Sequence, residues 1–185
     1  PCGVELHLSS SFELGAKLDS ADGHFSTRFA VFHSTKYNER NRDADTVNAC
    51  NYVLSGKRHV AGFDVDAAGR IGDHLEIYAS YAFIPEAQID ASSGAPGTEV
   101  VGSRPGLTPR HSGTVWSTYQ LTPYWRIGAG INARSRDLPL GLAAGSAIRA
   151  PAFVTTDVML EYSADLIALK VNLTNIANKH YAETV

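Results

Sequence analysis

The chain has no apolar run approaching the roughly 18 residues that a spanning helix needs. That excludes a helical membrane protein and leaves open a barrel, whose signal is alternation. Its 185 residues include only two cysteines, too few for a disulfide framework. Cys2 and Cys50 could pair, and the redox compartment stays open. An excess of charge is lacking too. A net charge of -3 excludes a broadly basic nucleic-acid binder and an acidic solvating tail. With 44% hydrophobic residues, wholesale disorder is also excluded. The chain opens Pro1-Cys2-Gly3, with neither an initiator Met nor a signal-peptide pattern. It reads as mature protein or as a piece of something longer. No stretch shows a helical stripe, and no short repeat or low-complexity tract stands out.

What is present is alternation with a period of two, the mark of a strand with unlike faces. It runs through residues 11–19, 24–34, 57–68, 74–84, 110–121, 124–135, 152–163 and 166–176. Each segment has about the length of a tilted membrane-spanning strand. Short turns at Ser20–Gly23, Gly72-Asp73, Thr122-Pro123 and Ala164-Asp165 use the usual turn residues. Between them lie long polar loops over 35–52, 85–109 and 136–151, and Ala91–Gly97 reads as a flexible loop tip. Tight turns on one side and long loops on the other suit an outer-membrane barrel.

One parity of these strands carries Phe12, Leu14, Phe29, Val65, Ile77, Val115, Ile131, Leu160 and Val171, and throughout it holds no charge. A chain that is 19% charged would place several there by chance. The opposite parity holds Glu13, Lys17, Arg28, Asp64, Asp66, Glu76, Arg126, Arg134, Asp157, Glu161 and Lys170, with Tyr78 and Trp116. A soluble barrel buries its apolar parity; a membrane barrel turns it outward to lipid and keeps a wet lumen. Aromatic placement favours the membrane. Phe25, Tyr119, Trp125 and Tyr162 lie on the apolar parity near the short turns, and Phe12, Tyr81 and Phe83 near the long loops. Two girdles with an aliphatic band between them form the membrane arrangement.

Several stretches then resemble one family. Ser11-Phe12-Glu13-Leu14-Gly15-Ala16-Lys17-Leu18-Asp19 and Ala61-Gly62-Phe63-Asp64-Val65-Asp66-Ala67-Ala68-Gly69 resemble strands of TonB-dependent siderophore receptors. Arg104-Pro105-Gly106-Leu107-Thr108-Pro109-Arg110-His111-Ser112 resembles the family's approach to a further strand, and Val171 to Tyr181 its stretch near the C-terminus. The matches are in order and cover residues 11 to 181. The resemblance implies an all-β, antiparallel, up-and-down transmembrane barrel of about 22 strands, of which this chain supplies about eight consecutive ones. It further implies that residues 1–185 are a partial barrel domain, without the family's plug and closing strand. The implied role is uptake of ferric siderophores across the bacterial outer membrane, energised by TonB through the missing plug region, with lipid around the wall. No enzyme, cofactor or nucleic-acid partner is implied.

Arg134 and Arg136 end a strand that runs from a short turn toward a long loop, and so belong to the outer mouth. With the lumen aromatics Trp116 and Tyr78 they are the candidate ligand contacts, because anionic ferric siderophores are drawn to such a mouth. The heavier alternative for any single arginine is a pair with a nearby Asp or Glu.

Other patterns carry little. Gly128-Ala129-Gly130-Ile131-Asn132-Ala133 matches a dinucleotide fingerprint in form, but lies inside an alternating strand and lacks the following helix. Asp64 and Asp66 do not match a calcium loop, and the histidines show no metal spacing. No nucleophile elbow is present. Two other readings remain. A complete eight-stranded membrane barrel, as adhesin or structural protein, needs the first strand to pair with the last. A soluble β-domain that binds a ligand or hydrolyses an ester needs to fold without detergent.

Overall fold

A computed structural model describes residues 6–42, 44, 52–95, 99–138 and 149–181. Cys2, Cys50 and the end of the Ala91–Gly97 patch lie outside them. The eight strands are β1 (Leu8–Asp19), β2 (Phe25–Arg42), β3 (Tyr52–Ile71), β4 (Leu75–Ala91), β5 (His111–Gln120), β6 (Trp125–Arg134), β7 (Phe153–Ala164) and β8 (Ile167–Leu173). They form one antiparallel sheet in the order of the sequence. Among the described residues there is no helix. β1 pairs only with β2 and β8 only with β7, so the wall is open at both sides. That removes the closed eight-stranded reading, which requires β1 on β8.

Directly paired residues share a face, so the ladder fixes which side chains stand together. Val115, opposite Ile131 and Ala79, belongs to a face on which Leu14, Val115, Ile131 and Leu160 are all exposed. Leu14 is 64% exposed and Val115 50%. Such exposure is costly in water over so wide an apolar patch and neutral in lipid. β5 and β6 are the shortest full crossings, ten residues each. At about 3.3 Å per residue and a tilt near 40°, ten residues rise roughly 25 Å, the height of a barrel's apolar band.

Aromatics mark both edges of this band. Trp125 packs on Tyr162 with ring centroids 4.8 Å apart, at the short-turn end. At the other end Phe63 meets Phe83 at 5.5 Å, and Phe83 stacks on His111 at 4.8 Å.

Three strands continue beyond that edge. Residues expected as loop at 35–42, 52 and 85–91 are strand, and so are 53–56, which lay between an expected loop and an expected strand. Both faces are wet there, so nothing requires one of them to be apolar, and alternation fades where pairing does not. The ladder also becomes irregular, with register shifts between Lys36 and Arg40 and between Ala61 and Phe63. In the second, Ala61 opposes Glu86 while Phe63 opposes Phe83. β4 therefore holds one extra residue around Ile84-Pro85, and its outward parity switches from odd to even. Gly62 is required beneath this bulge, because a Cβ there would collide with the Phe83 carbonyl oxygen. Within two outward positions of β3 the face passes from Phe63 and Phe83 through Ala61 to His59 and Glu86, which are hydrogen-bonded at 3.2 Å. His59 also bonds Asp90 at 2.8 Å.

The described residues of the loop after β4 fold back on the wall. Ile89 N–H donates to the Ser103 carbonyl at 2.9 Å, and Ala95 is buried. Arg104 secures the bulge. Its guanidinium donates to the Ile84 carbonyl at 2.5 Å and to the Thr108 carbonyl at 2.7 Å.

Candidate functional site at the outer rim

The lumen face is polar and mostly self-paired. Arg28 bonds Asp66 at 2.7 Å and Arg70 bonds Glu76 at 3.0 Å. Glu161 lies 3.7 Å from Lys170. A chain of side chains crosses β5, β6 and β7. Thr114 donates to Asn132 at 2.9 Å, and Asn132 donates to Asp157 at 2.9 Å. Asp157 also accepts the Asn175 N–H at 2.7 Å, which ties the exit of β8 to the wall.

Arg134 stands at the rim, as its position on β6 requires, and its charge is already used. It donates to Asp137 at 2.9 Å, and the Asp137 side chain is only 3% exposed. The arginine–carboxylate alternative thus describes Arg134, with the partner three residues along its own chain.

Arg136 is placed differently. It lines a cavity of about 380 Å³ together with Arg104, Arg110, Asp137 and Arg149. Arg110 and Arg149 come from the segments entering β5 and β7, and both continue the lumen parity of those strands. The two loops that form the cavity are joined where Leu107 N–H donates to the Leu138 carbonyl at 2.9 Å. Among the described residues, Arg110, Arg136 and Arg149 have no ion-pair partner, since the one carboxylate present is held by Arg134. Burial, and then the like charge of Arg110, push the Arg104 guanidinium below the usual arginine range, with Asp137 opposing. A site with this charge balance suits an anion. The sequence reading found Arg136 and missed Arg104, Arg110 and Arg149. Carrying the lumen parity of β5 and β7 two or more residues outward marks Arg110 and Arg149. No such signal marks Arg104, whose position depends on the bulge.

Tyr78 and Trp116 lie directly opposite each other on the lumen face. They stand well below the rim, with Trp116 four residues along β5 from Ser112, the partner of Arg134. The Trp116 ring lies across β6, where a Cβ on Gly130 would overlap it and one on Gly128 would come within 2.9 Å. This accounts for the glycine pair that imitates a nucleotide fingerprint. Tyr78, Trp116 and Met159 line a concavity of about 670 Å³ bordered by Arg70, Glu76 and Lys170. Among the described residues no group of His, Cys, Asp and Glu is arranged to hold a metal ion.

Comparison with known proteins accords with this architecture. Residues 8–178 match the family model described as TonB dependent receptor-like, beta-barrel. The metal-pseudopaline receptor CntO of Pseudomonas aeruginosa is 30% identical over 175 residues, covering 93% of this chain and 24% of the receptor. The probable TonB-dependent siderophore receptor PiuA of Acinetobacter baumannii is 27% identical, covering 96% of this chain and 24% of its own length. The crystal structure of the siderophore receptor PiuA from Acinetobacter baumannii superposes with a TM-score of 0.75 at 24% identity, over 95% of this chain and 25% of that one. The chain thus spans about a quarter of the length of the curated relatives it matches. With its membrane band, wet face and matched residues, the chain belongs to the TonB-dependent receptor family of outer-membrane β-barrels.

Proposed function

We propose that the chain forms part of the wall of a receptor that takes up ferric siderophores, with TonB supplying the energy through parts of the receptor outside these residues. The observation that carries this reading is the arginine cavity at the rim, where three guanidiniums lack carboxylate partners among the described residues. Such a field raises the local concentration of an anionic chelate and speeds its capture. Arg136, Arg110 and Arg149 make the first contact. Arg134 holds the rim in shape through Asp137. Tyr78 and Trp116 offer ring faces deeper along the same wet surface. The names of the relatives, receptors for metal chelates and siderophores, support the cargo class. The wall itself binds and guides; it carries out no covalent step.

The test uses the intact receptor in cells, with radio-iron supplied as ferric citrate, a ferric hydroxamate or a ferric catecholate. Uptake of at least one chelate should require both the receptor and TonB. The triple change R110A/R136A/R149A should slow capture of an anionic chelate by about 10-fold or more at low salt, and less at high salt. Uptake of every chelate at the same rate without the receptor would overturn the reading.

A further inference from the structure

The motif from Asn175 to Tyr181 has no part in the rim cavity, yet it is tightly built. Asn175 has φ +50°, its side-chain carbonyl accepts the Lys179 N–H at 2.9 Å, and its amide donates to the Lys179 carbonyl at 3.0 Å. This double grip fixes the backbone of Lys179. Tyr181, next but one, stacks on Phe153 at 4.4 Å and anchors the segment from its far side. Among the described residues the Lys179 ammonium has no partner.

Lys179 borders a groove of about 560 Å³ at the rim, lined mostly by residues of the outward parity and also by Arg134 and Phe153 of the lumen parity. The floor is Gly113 opposite Ala133, two small residues on the outward parity. Tyr81 and His111 wall one side and Val154 the other. Tyr81 O–H and His111 Nδ1 are 2.7 Å apart, so that wall is held upright. The groove lies at the extracellular edge of the band, beside the Phe83–His111 stack. It thus pairs an apolar trough at the depth of acyl chains with a lysine on a held backbone at the depth of headgroups.

We infer that this groove is a binding site for a phosphate-bearing acyl lipid of the outer leaflet, with one acyl chain over Gly113 and Ala133 and the phosphate on Lys179. The charge complementarity is specific, because an uncharged lipid would leave the ammonium without a partner. The inference rests on the chain being a membrane barrel and is independent of the cargo. Of the rim arginines only Arg134 also borders the groove, and its guanidinium is held by Asp137 at 2.9 Å; Arg104, Arg110, Arg136 and Arg149 belong to the other cavity.

The test is native mass spectrometry of the intact receptor, released from a non-ionic detergent after addition of phosphatidylglycerol or diacylglycerol. Wild type should retain phosphatidylglycerol over diacylglycerol. K179Q should lower that retention by about fivefold, the share of one basic residue near an anionic surface. A133F should fill the trough and remove the adduct. Ala133 is on the outward parity and neither position lines the arginine cavity, so ferric-chelate uptake should be unchanged. Heat-modifiable mobility on gels checks that each variant folds. Its absence from wild type would indict the barrel reading instead. Equal retention of both lipids, or wild-type retention in folded K179Q and A133F, would overturn the site. Displacement of the adduct by inorganic phosphate alone would also overturn it, since the acyl chain would then contribute nothing.

Discussion

The membrane band and the extension of β2–β4 above it use one continuous ladder under opposite rules. In the band, from Phe83 and His111 down to Leu75 and Tyr119, β4 and β5 pair without a shift, and β5–β6 and β6–β7 do the same. One side faces lipid, so a slip of one residue would turn every lumen charge into hydrocarbon. Above Phe83 both sides face water. Register shifts appear there, and ion pairs hold the strands, as where Arg58 bonds Glu39 at 2.5 Å and Glu99 at 2.6 Å. The solvent, more than local propensity, dictates where regularity is compulsory.

The largest expected break of this contrast is a charge on the outward face. V115R in the band should cost about 2–4 kcal/mol in the intact receptor, read by urea unfolding in lipid vesicles. Q88R, on the outward parity above the bulge, should cost nearly nothing. Equal costs would mean that the band boundary is misplaced.

Next comes the boundary itself. R104A removes the donors to the Ile84 and Thr108 carbonyls and should cost about 1–3 kcal/mol. Hydrogen exchange should rise at Ile84–Ala91 and stay unchanged in β5–β6. Uniform loss of protection would show that the two regions are one cooperative unit.

Within the band, G130A sets a methyl against the Trp116 ring and should cost about 1–3 kcal/mol by overpacking. Pairing it with W116A should recover much of that cost, a coupling that a double-mutant cycle measures.

The smallest effect lies outside the band at the opposite end. In the β1–β2 turn the Ser20 hydroxyl, and then the His24 N–H, hold the Asp22 carboxyl below its ordinary range. A lowered folded-state value gives stability that is present above the unfolded carboxylate range and lost as the pH falls through the lowered one. Protection of the His24 and Phe25 amides, taken relative to their intrinsic exchange rates, should therefore fall only in acid, and D22N should remove that pH dependence.

How much was legible follows the same division. The eight strands, the four short turns and the inward charges of Arg28, Asp66 and Glu161 follow from alternation, because lipid enforces it. The strand over 52–56 and the bulge at Ile84-Pro85 do not, because wet faces leave no period to read. Depth was also unreadable. Parity alone puts Tyr78 and Trp116 with Arg134, while the register separates them. The rim cavity was half visible through Arg136. Parity carried outward also marks Arg110 and Arg149, but their meeting with Arg136 and Arg104 in one cavity depends on how two loops join at Leu107 and Leu138, a long-range contact with no local signature.

The flat seat of Trp116 over Gly128 and Gly130, set against Trp125 in the lower girdle, gives this segment two indoles in two solvents. Their emission should separate accordingly. Iodide in the aqueous phase should quench the Trp116 component, and brominated acyl chains the Trp125 component. Difference spectra with W116F and W125F would isolate each one. The wall thus carries its own optical gauge, able to report lumen wetting and membrane insertion in a single experiment.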